Sequence, residues 1–194
     1  MRYDTHGSAR DKLLDAAATL FYEQGYQATT IDHIVERSRV ARPTLYAHFE
    51  TKEELGRAYL QLRRQEDTQA IKDTIRLEKT PEGRFMAVIS YVGKTLVNSN
   101  YRGCRFFNVI AELQTASHPL VKEARLYVES FREIIRDVVH ELKATSKRYK
   151  ALDVERATDT YYLLVCGAIM ASQEYQDPWP IERAKREIEG LLRR

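Results

Sequence analysis

The chain has 194 residues and a formal net charge of +3, with 43% hydrophobic and 30% charged residues. A chain of this length buries about 70% of its unfolded surface in one or two domains, and apolar runs such as 161–165 fall far short of the ~20 residues that a membrane helix needs. Eight Gly and five Pro argue against a low-complexity chain or a sandwich of short strands, and with no apolar leader segment the expected location is the cytoplasm, with no membrane partner.

The apolar residues recur at the helical period almost throughout. Ala9, Leu13, Ala17, Leu20 and Phe21 make one stripe, stopped at Gly25. Thr29-Thr30 opens a second helix carrying Ile31, Ile34 and Val35, and a third follows about three residues later, near Ala41 or Arg42, with Pro43 in its first turn. Thr51 with Glu54 reads as a capping box for a long helix through Leu55, Tyr59 and Leu62, continuing toward Ile71 and Ile75. Pro81-Glu82 starts the next, with Phe85, Val88, Ile89, Val92 and Leu96 inward. The pattern breaks over 98–103 and resumes in a short helix from Cys104 to about Gln114. Pro119 opens a helix of more than twenty residues with Ala124, Val128, Phe131, Ile135, Val138 and Leu142 on one face. Asp153 opens another, and Pro178-Trp179-Pro180 separates it from a last helix carrying Ile181, Ala184, Ile188 and Leu191. The expected fold is all-α, with about nine helices. A three-helix head occupies 1–54, and a helical regulatory and dimerisation domain occupies 55–194.

The segment Thr29–Leu55 is the informative one. Two short helices separated by about three residues have helix-turn-helix spacing, and Ile31, Ile34, Val35, Val40, Leu45 and Phe49 would pack them onto the first helix. The second helix of such a unit enters the DNA major groove with its N-terminal residues leading. Here these are Arg42, Pro43 and Thr44. Arg can donate to guanine O6 and N7, and Thr can donate or offer its methyl to thymine.

Gly25-Tyr26, Thr29-Thr30-Ile31, Ile34, Val40, Thr44-Leu45-Tyr46, His48-Phe49 and Lys52-Glu53-Glu54-Leu55 together resemble the DNA-binding head of the TetR (TetR/AcrR) family of bacterial transcriptional regulators. Gly103 to Asn108, with His118-Pro119 after it, is similar to a pattern in the regulatory domains of one subset of that family. The resemblance implies that Thr30 caps its helix and touches a phosphate, that Arg42, Pro43 and Thr44 meet base edges, and that Tyr46, His48 and Lys52 contact phosphates. It also implies a homodimer on a palindromic operator in double-stranded DNA, most simply a repressor released by a small-molecule effector.

Three positions depart from the family pattern. Arg39 stands where Gly is usual and must adopt positive φ unless the turn differs, while adding a cation near the DNA. Ala41 removes a capping hydroxyl. Asp32 puts a carboxylate where a cation is common, to repel phosphate or select a cytosine N4 donor. Residues 1–55 hold seven Lys/Arg against nine Asp/Glu, so bulk charge does not favour nucleic acid and the placement of Arg39, Arg42, His48 and Lys52 must supply the attraction.

The twelve Tyr suit a pocket for a small molecule, and Phe107, Tyr127, Phe131 and Tyr161 are the candidate lining, with packing in the core as the plain alternative. Ala157, Leu164, Gly167, Ala168, Ala171 and Ile188 are the candidate dimer contacts, the small ones allowing close helix approach. Glu112, Arg125, Glu129 and Arg132 read as solvated or i,i+4 paired faces. Cys104 and Cys166 are too far apart in sequence for a CxxC metal site. Cys104 with His118 lacks the acid partner and glycine turn of a nucleophilic site, so neither enzyme activity nor a cofactor or metal is expected. An all-helical scaffold that no longer reads DNA is the alternative, through Arg39, Ala41 and Asp32.

Overall fold

In a computed structural model of the protein, residues 7–193 are described, and among them every regular element is helical. The helices are α1 (Ala9–Gln24), α2 (Ile31–Ser38), α3 (Arg42–His48), α4 (Lys52–Arg76), α5 (Pro81–Asn98), α6 (Arg105–Leu113), α7 (Pro119–Thr145), α8 (Val154–Tyr175) and α9 (Trp179–Leu191), with a 3-10 turn over Lys147–Tyr149. The chain divides into two compact units. One runs to Gln65 and takes in Arg105–Leu126, and the other holds Glu66–Cys104 and the chain from Tyr127 onward. This differs from the contiguous 54/55 division drawn from the sequence, since α4 and α7 each run from one unit into the other.

Local chemistry sets the boundaries. Ser8 and Asp11 close a capping box on α1, Thr80 and Asp153 cap α5 and α8, and Glu54 N–H donates to Thr51 Oγ1 at 3.0 Å. Pro178-Trp179-Pro180 is less a gap between helices than the start of α9, with Trp179 its first residue and Pro180 in the first turn. A first-turn Pro gives up an N–H that has no intrahelical partner. The break after α5 is built from left-handed residues, with Asn100 at φ 51°, Tyr101 at φ 56° and Gly103 at φ 78°.

In the first unit, Leu13, Leu20, Phe21, Ile34, Leu45, Phe49, Leu55 and Leu60 form the core, and Phe21 packs its ring against Tyr26 and Tyr59 at 5.3 and 5.8 Å. Glu123 is buried, and its carboxylate accepts from Arg64 Nε at 3.0 Å and Gln61 Nε2 at 3.3 Å. Gly56 is glycine because a Cβ there would come within 2.9 Å of Leu120 Cδ2 and 3.1 Å of Tyr26 Cε2.

In the second unit, α5, α8 and α9 pack together around Phe85, Ile89, Tyr161, Val165 and Ile188. Tyr161 is fully buried. Its hydroxyl donates to the Phe85 carbonyl at 2.7 Å and accepts from the Ile89 amide at 3.0 Å, and its ring meets Phe85 edge-on at 4.9 Å. Burial pushes this phenol far above the usual tyrosine range. Tyr161, a candidate pocket residue, is thus a core residue with its hydroxyl spent on backbone. Tyr127 and Phe131 are also buried, stacked at 6.0 Å, and Phe131 meets Tyr162 at 6.4 Å. Phe107 belongs to the first unit and is half-buried.

The inward face of α8 differs from the sequence expectation. Ala157 and Ala168 are buried within their own unit, as is Ile188 of α9, so these three candidate dimer contacts face the interior. Leu164 and Ala171 are half-buried. The outer face of α8 carries Leu163 and Met170, 67% and 73% exposed, on either side of Gly167, which has open space around its Cβ position. Small size marks a residue that permits close approach without saying which side of the helix is inward. Arg132 also differs from its reading as an α7 surface pair, since it bonds Asp159 and Glu155 on α8.

Candidate nucleic-acid interface

The recognition unit is built from its caps. Thr30 is the N-cap of α2: its hydroxyl accepts from the His33 amide at 3.2 Å, and His33 Nδ1 accepts from the Thr30 amide at 3.4 Å. Thr29 points the other way, fully buried, with its hydroxyl donating to the Gly25 carbonyl at 2.7 Å. Of the two outcomes left open for the turn after α2, the left-handed one is found: Arg39 sits at φ 55° and ψ 26°. Ser38 supports it, its hydroxyl accepting from the Val40 amide at 3.2 Å and donating to the Val35 carbonyl at 3.3 Å. As expected, Ala41 gives α3 no side-chain cap.

α3 has two faces. Leu45 and the following Phe49 are buried, while Arg42, Pro43, Tyr46 and His48 are exposed and Thr44 is half-buried. Tyr46 is 44% exposed, a large aromatic left outside a well-packed unit. Four of the eight candidate contacts therefore lie on the open side of one seven-residue helix, Thr44 at its edge, with Thr30 and Arg39 exposed at the two ends of α2. Such a strip offers cationic, hydroxyl and aromatic donors suited to both base edges and phosphates.

Lys52 is placed differently from its neighbours. Its ammonium donates to the carbonyls of Tyr26 and Thr29, both at 2.9 Å, and lies 4.3 Å from the centre of the Tyr26 ring. Burial draws its pKa down, against the opposing charge of Glu112. Two of its three N–H groups are used inside the unit, so its direct structural role is to fasten the α1–α2 loop to the start of α4. Asp32 pairs with Arg42.

Glu112 is not the solvated residue that the sequence suggests. Its carboxylate accepts from the backbone amides of Tyr26 at 3.0 Å and Gln27 at 2.6 Å, the loop leading to the α2 cap. Gly25, at φ 92°, lets that carboxylate approach, because a Cβ would lie 3.0 Å from Glu112 Oε1. Nothing local announces such a contact, since backbone amides 86 and 85 residues distant are its partners. Tyr26 is buried beside it. Its phenol is pushed up to about 12, first by burial and then by the charges of Glu53 and Glu112. A folded pKa above the unfolded value of 10.0 means that the stability tied to this phenol is intact below pH 10 and lost as pH rises to about 12. Urea midpoints measured across that window should fall, and Tyr26→Phe should flatten part of the fall.

Among the described residues there is no group of three or more His, Cys, Asp or Glu able to hold a metal ion, and no helix is long and apolar enough to cross a membrane.

Residues 13–59 match the family profile described as "Bacterial regulatory proteins, tetR family", and residues 83–188 that of "Tetracyclin repressor-like, C-terminal domain". Among characterised relatives, the chain is 44% identical over 48 residues to the negative transcriptional regulator of the biofilm operon icaADBC of Staphylococcus epidermidis, covering 25% of this chain and 26% of the relative. It is 49% identical over 51 residues to the transcriptional repressor ComR of Escherichia coli (26% and 24%) and 34% identical over 80 residues to the transcriptional activator FasR of Mycolicibacterium smegmatis (41% and 36%). The chain thus spans only about a quarter to a third of each relative's length. The fold is similar to a solved TetR-family transcriptional regulator from Streptomyces coelicolor, with a TM-score of 0.85, 26% identity and coverage of 95% of this chain and 94% of the other. It is also similar to the reduced form of Escherichia coli NemR, with a TM-score of 0.81, 17% identity and coverage of 95% and 97%.

Proposed function

The chain belongs to the TetR family of bacterial regulatory proteins, and from that premise we propose that it is a sequence-specific DNA-binding transcriptional repressor acting as a homodimer on a palindromic operator. The observation that carries this reading is the outer face of α3, where Arg42, Pro43, Tyr46 and His48 stand exposed over a buried Leu45 and Phe49. In this reading Arg42, Pro43 and Thr44 read bases, and Thr30, Arg39, Tyr46 and His48 hold phosphates. Lys52 contributes through the loop it fastens, with one N–H left for the backbone of DNA. Residues 1–54 carry recognition and residues 55–194 carry regulation and dimerisation. Leu163, Gly167 and Met170 on α8, with Leu164 and Ala171 at the margin, are the proposed contact with a second copy. Two recognition helices would then enter successive major grooves about 34–36 Å apart.

Release would come from a small molecule bound in the helical domain, with Tyr127, Phe131 and Tyr162 as its aromatic contacts. The Tyr162 phenol, raised first by burial and then by the neighbouring Cys166 thiol, gives that cluster a polar handle. α4 is continuous from Lys52 to Arg76, and it is the element through which such a signal would reach the head. Coupling of about 1–3 kcal/mol gives roughly 5–150-fold induction.

The test is selection of duplexes from a random library by the purified protein, with sedimentation of the same sample. A dimer enriching an inverted repeat, with affinity falling steeply between roughly 50 and 200 mM salt, is the expected result. A folded dimer that enriches nothing overturns the reading and favours a scaffold.

A further inference from the structure

The ion pair between Asp32 and Arg42 joins two helices at the open side of the recognition unit, and the role inferred for it rests on the proposed DNA-reading function. Asp32 lies in the first turn of α2 and Arg42 is the first residue of α3, ten positions on. Arg42 Nη2 donates to Asp32 Oδ1, and the two side chains are 48% and 76% exposed. An exposed pair adds little to stability. The fold does not depend on it either, because Ile34, Val40 and Leu45 already pack the two helices. The effect of the pair is on the guanidinium itself.

Arg42 carries five N–H donors in a planar fork, and one bond to Asp32 leaves the others available. A guanine edge asks for two of them, in a fixed plane. An unpaired arginine on this surface samples many rotamers and is as good a partner for any phosphate as for a base. Asp32 opposes both tendencies. It fixes the plane of the fork, so less side-chain freedom is lost on binding, and its negative charge disfavours a phosphate at the same place.

We propose that Asp32 is a specificity-determining positioning residue: by holding the Arg42 fork it favours the base that Arg42 reads and suppresses binding to unselected DNA. The carboxylate that looks misplaced in a nucleic-acid interface is there to restrain its cation partner.

The experiment compares full-length wild type, Asp32→Ala, Asp32→Glu, Arg42→Ala and the double variant Asp32→Ala/Arg42→Ala, all checked for folding by thermal melts, in the same duplex selection. Arg42→Ala should lose preference at one base pair per half-site, by about 5- to 150-fold. Asp32→Ala should lose preference at that same base pair by about 2- to 12-fold, the cost of ordering one flexible side chain. It should also bind unselected duplex more tightly, with a steeper salt dependence. Asp32→Glu, keeping the charge on a longer arm, should hold unselected binding low while the base preference stays relaxed. The double variant should be no worse at that base pair than Arg42→Ala alone.

Loss of preference at a different base pair in Asp32→Ala would mean that Asp32 reads its own base, and would overturn the proposal. So would an Asp32→Ala selection matching wild type base for base, which would reduce Asp32 to a helix-terminal charge. In both cases the DNA-reading function stands. A wild-type protein that enriches no sequence overturns that function and the proposal together.

Discussion

Arg64→Met is expected to destabilise the protein by about 2–4 kcal/mol, read as a drop in urea midpoint at unchanged slope. The reason is the state in which it leaves Glu123. That carboxylate is 6% exposed and loses its charged donor, keeping only the Gln61 amide at 3.3 Å. A buried charge stripped of its partner costs more than the pair contributed, because desolvation is no longer offset. The expected loss is smaller than for a fully interior pair, since Arg64 is itself 29% exposed and water can reach the gap. The companion variant separates charge from packing. Arg64→Met with Glu123→Leu removes both charges and should recover most of the loss. If the double variant is as unstable as Arg64→Met, the cost lies in lost packing of the arginine stem, and the account in terms of an orphaned carboxylate is wrong.

Glu112→Ala should cost about 1–3 kcal/mol. Two backbone donors, at Tyr26 and Gln27, lose a charged acceptor. Tyr26 is buried, so its amide has no ready replacement, whereas Gln27 is exposed and water can serve it, which keeps the figure below two full penalties. Glu112→Gln should fall between, because one amide oxygen accepts while the NH2 group faces a second donor. A spectroscopic titration gives an independent check. Removing the Glu112 charge should lower the Tyr26 phenol from about 12, but only part of the way to 10.0, because burial is the largest cause of its rise and remains. An unchanged phenol with an unchanged midpoint would show that the carboxylate does not hold the loop in solution. Hydrogen exchange at Tyr26 and Gln27 should rise in both variants, and the adjoining α2 cap at Thr30 should loosen with them.

The helices are legible in the sequence because their signals are local. A capping hydroxyl, a proline in a first turn and an apolar stripe every three or four residues act within one or two turns, and Ser8, Thr30, Thr80 and Asp153 cap the helices they begin. The turn at Arg39 is legible through the family resemblance, in which the Gly usual at that position implies a left-handed residue. The contacts of Glu112, Glu123 and Tyr161 are not, because their partners lie 59 to 86 positions away and are in part backbone groups with no side-chain identity. Asp32 shows the intermediate case. Its unusual charge is visible in the sequence, but its pairing with Arg42 depends on how two helices cross. The outer face of α8 is hidden because that helix carries apolar residues on nearly every side. Composition alone does not tell Ala168, turned inward, from Met170, turned out.

Phe85 and Ile89 stand four residues apart in α5, the spacing at which a helix bonds its own carbonyl to its own amide. The phenol of Tyr161 is lodged between two groups that are each other's natural partners. Most buried hydroxyls cannot leave without orphaning what they served. Here both backbone groups that it serves belong to one helical turn. The contact between α5 and α8 is therefore pinned by a single phenol that serves a carbonyl and an amide of one helical turn.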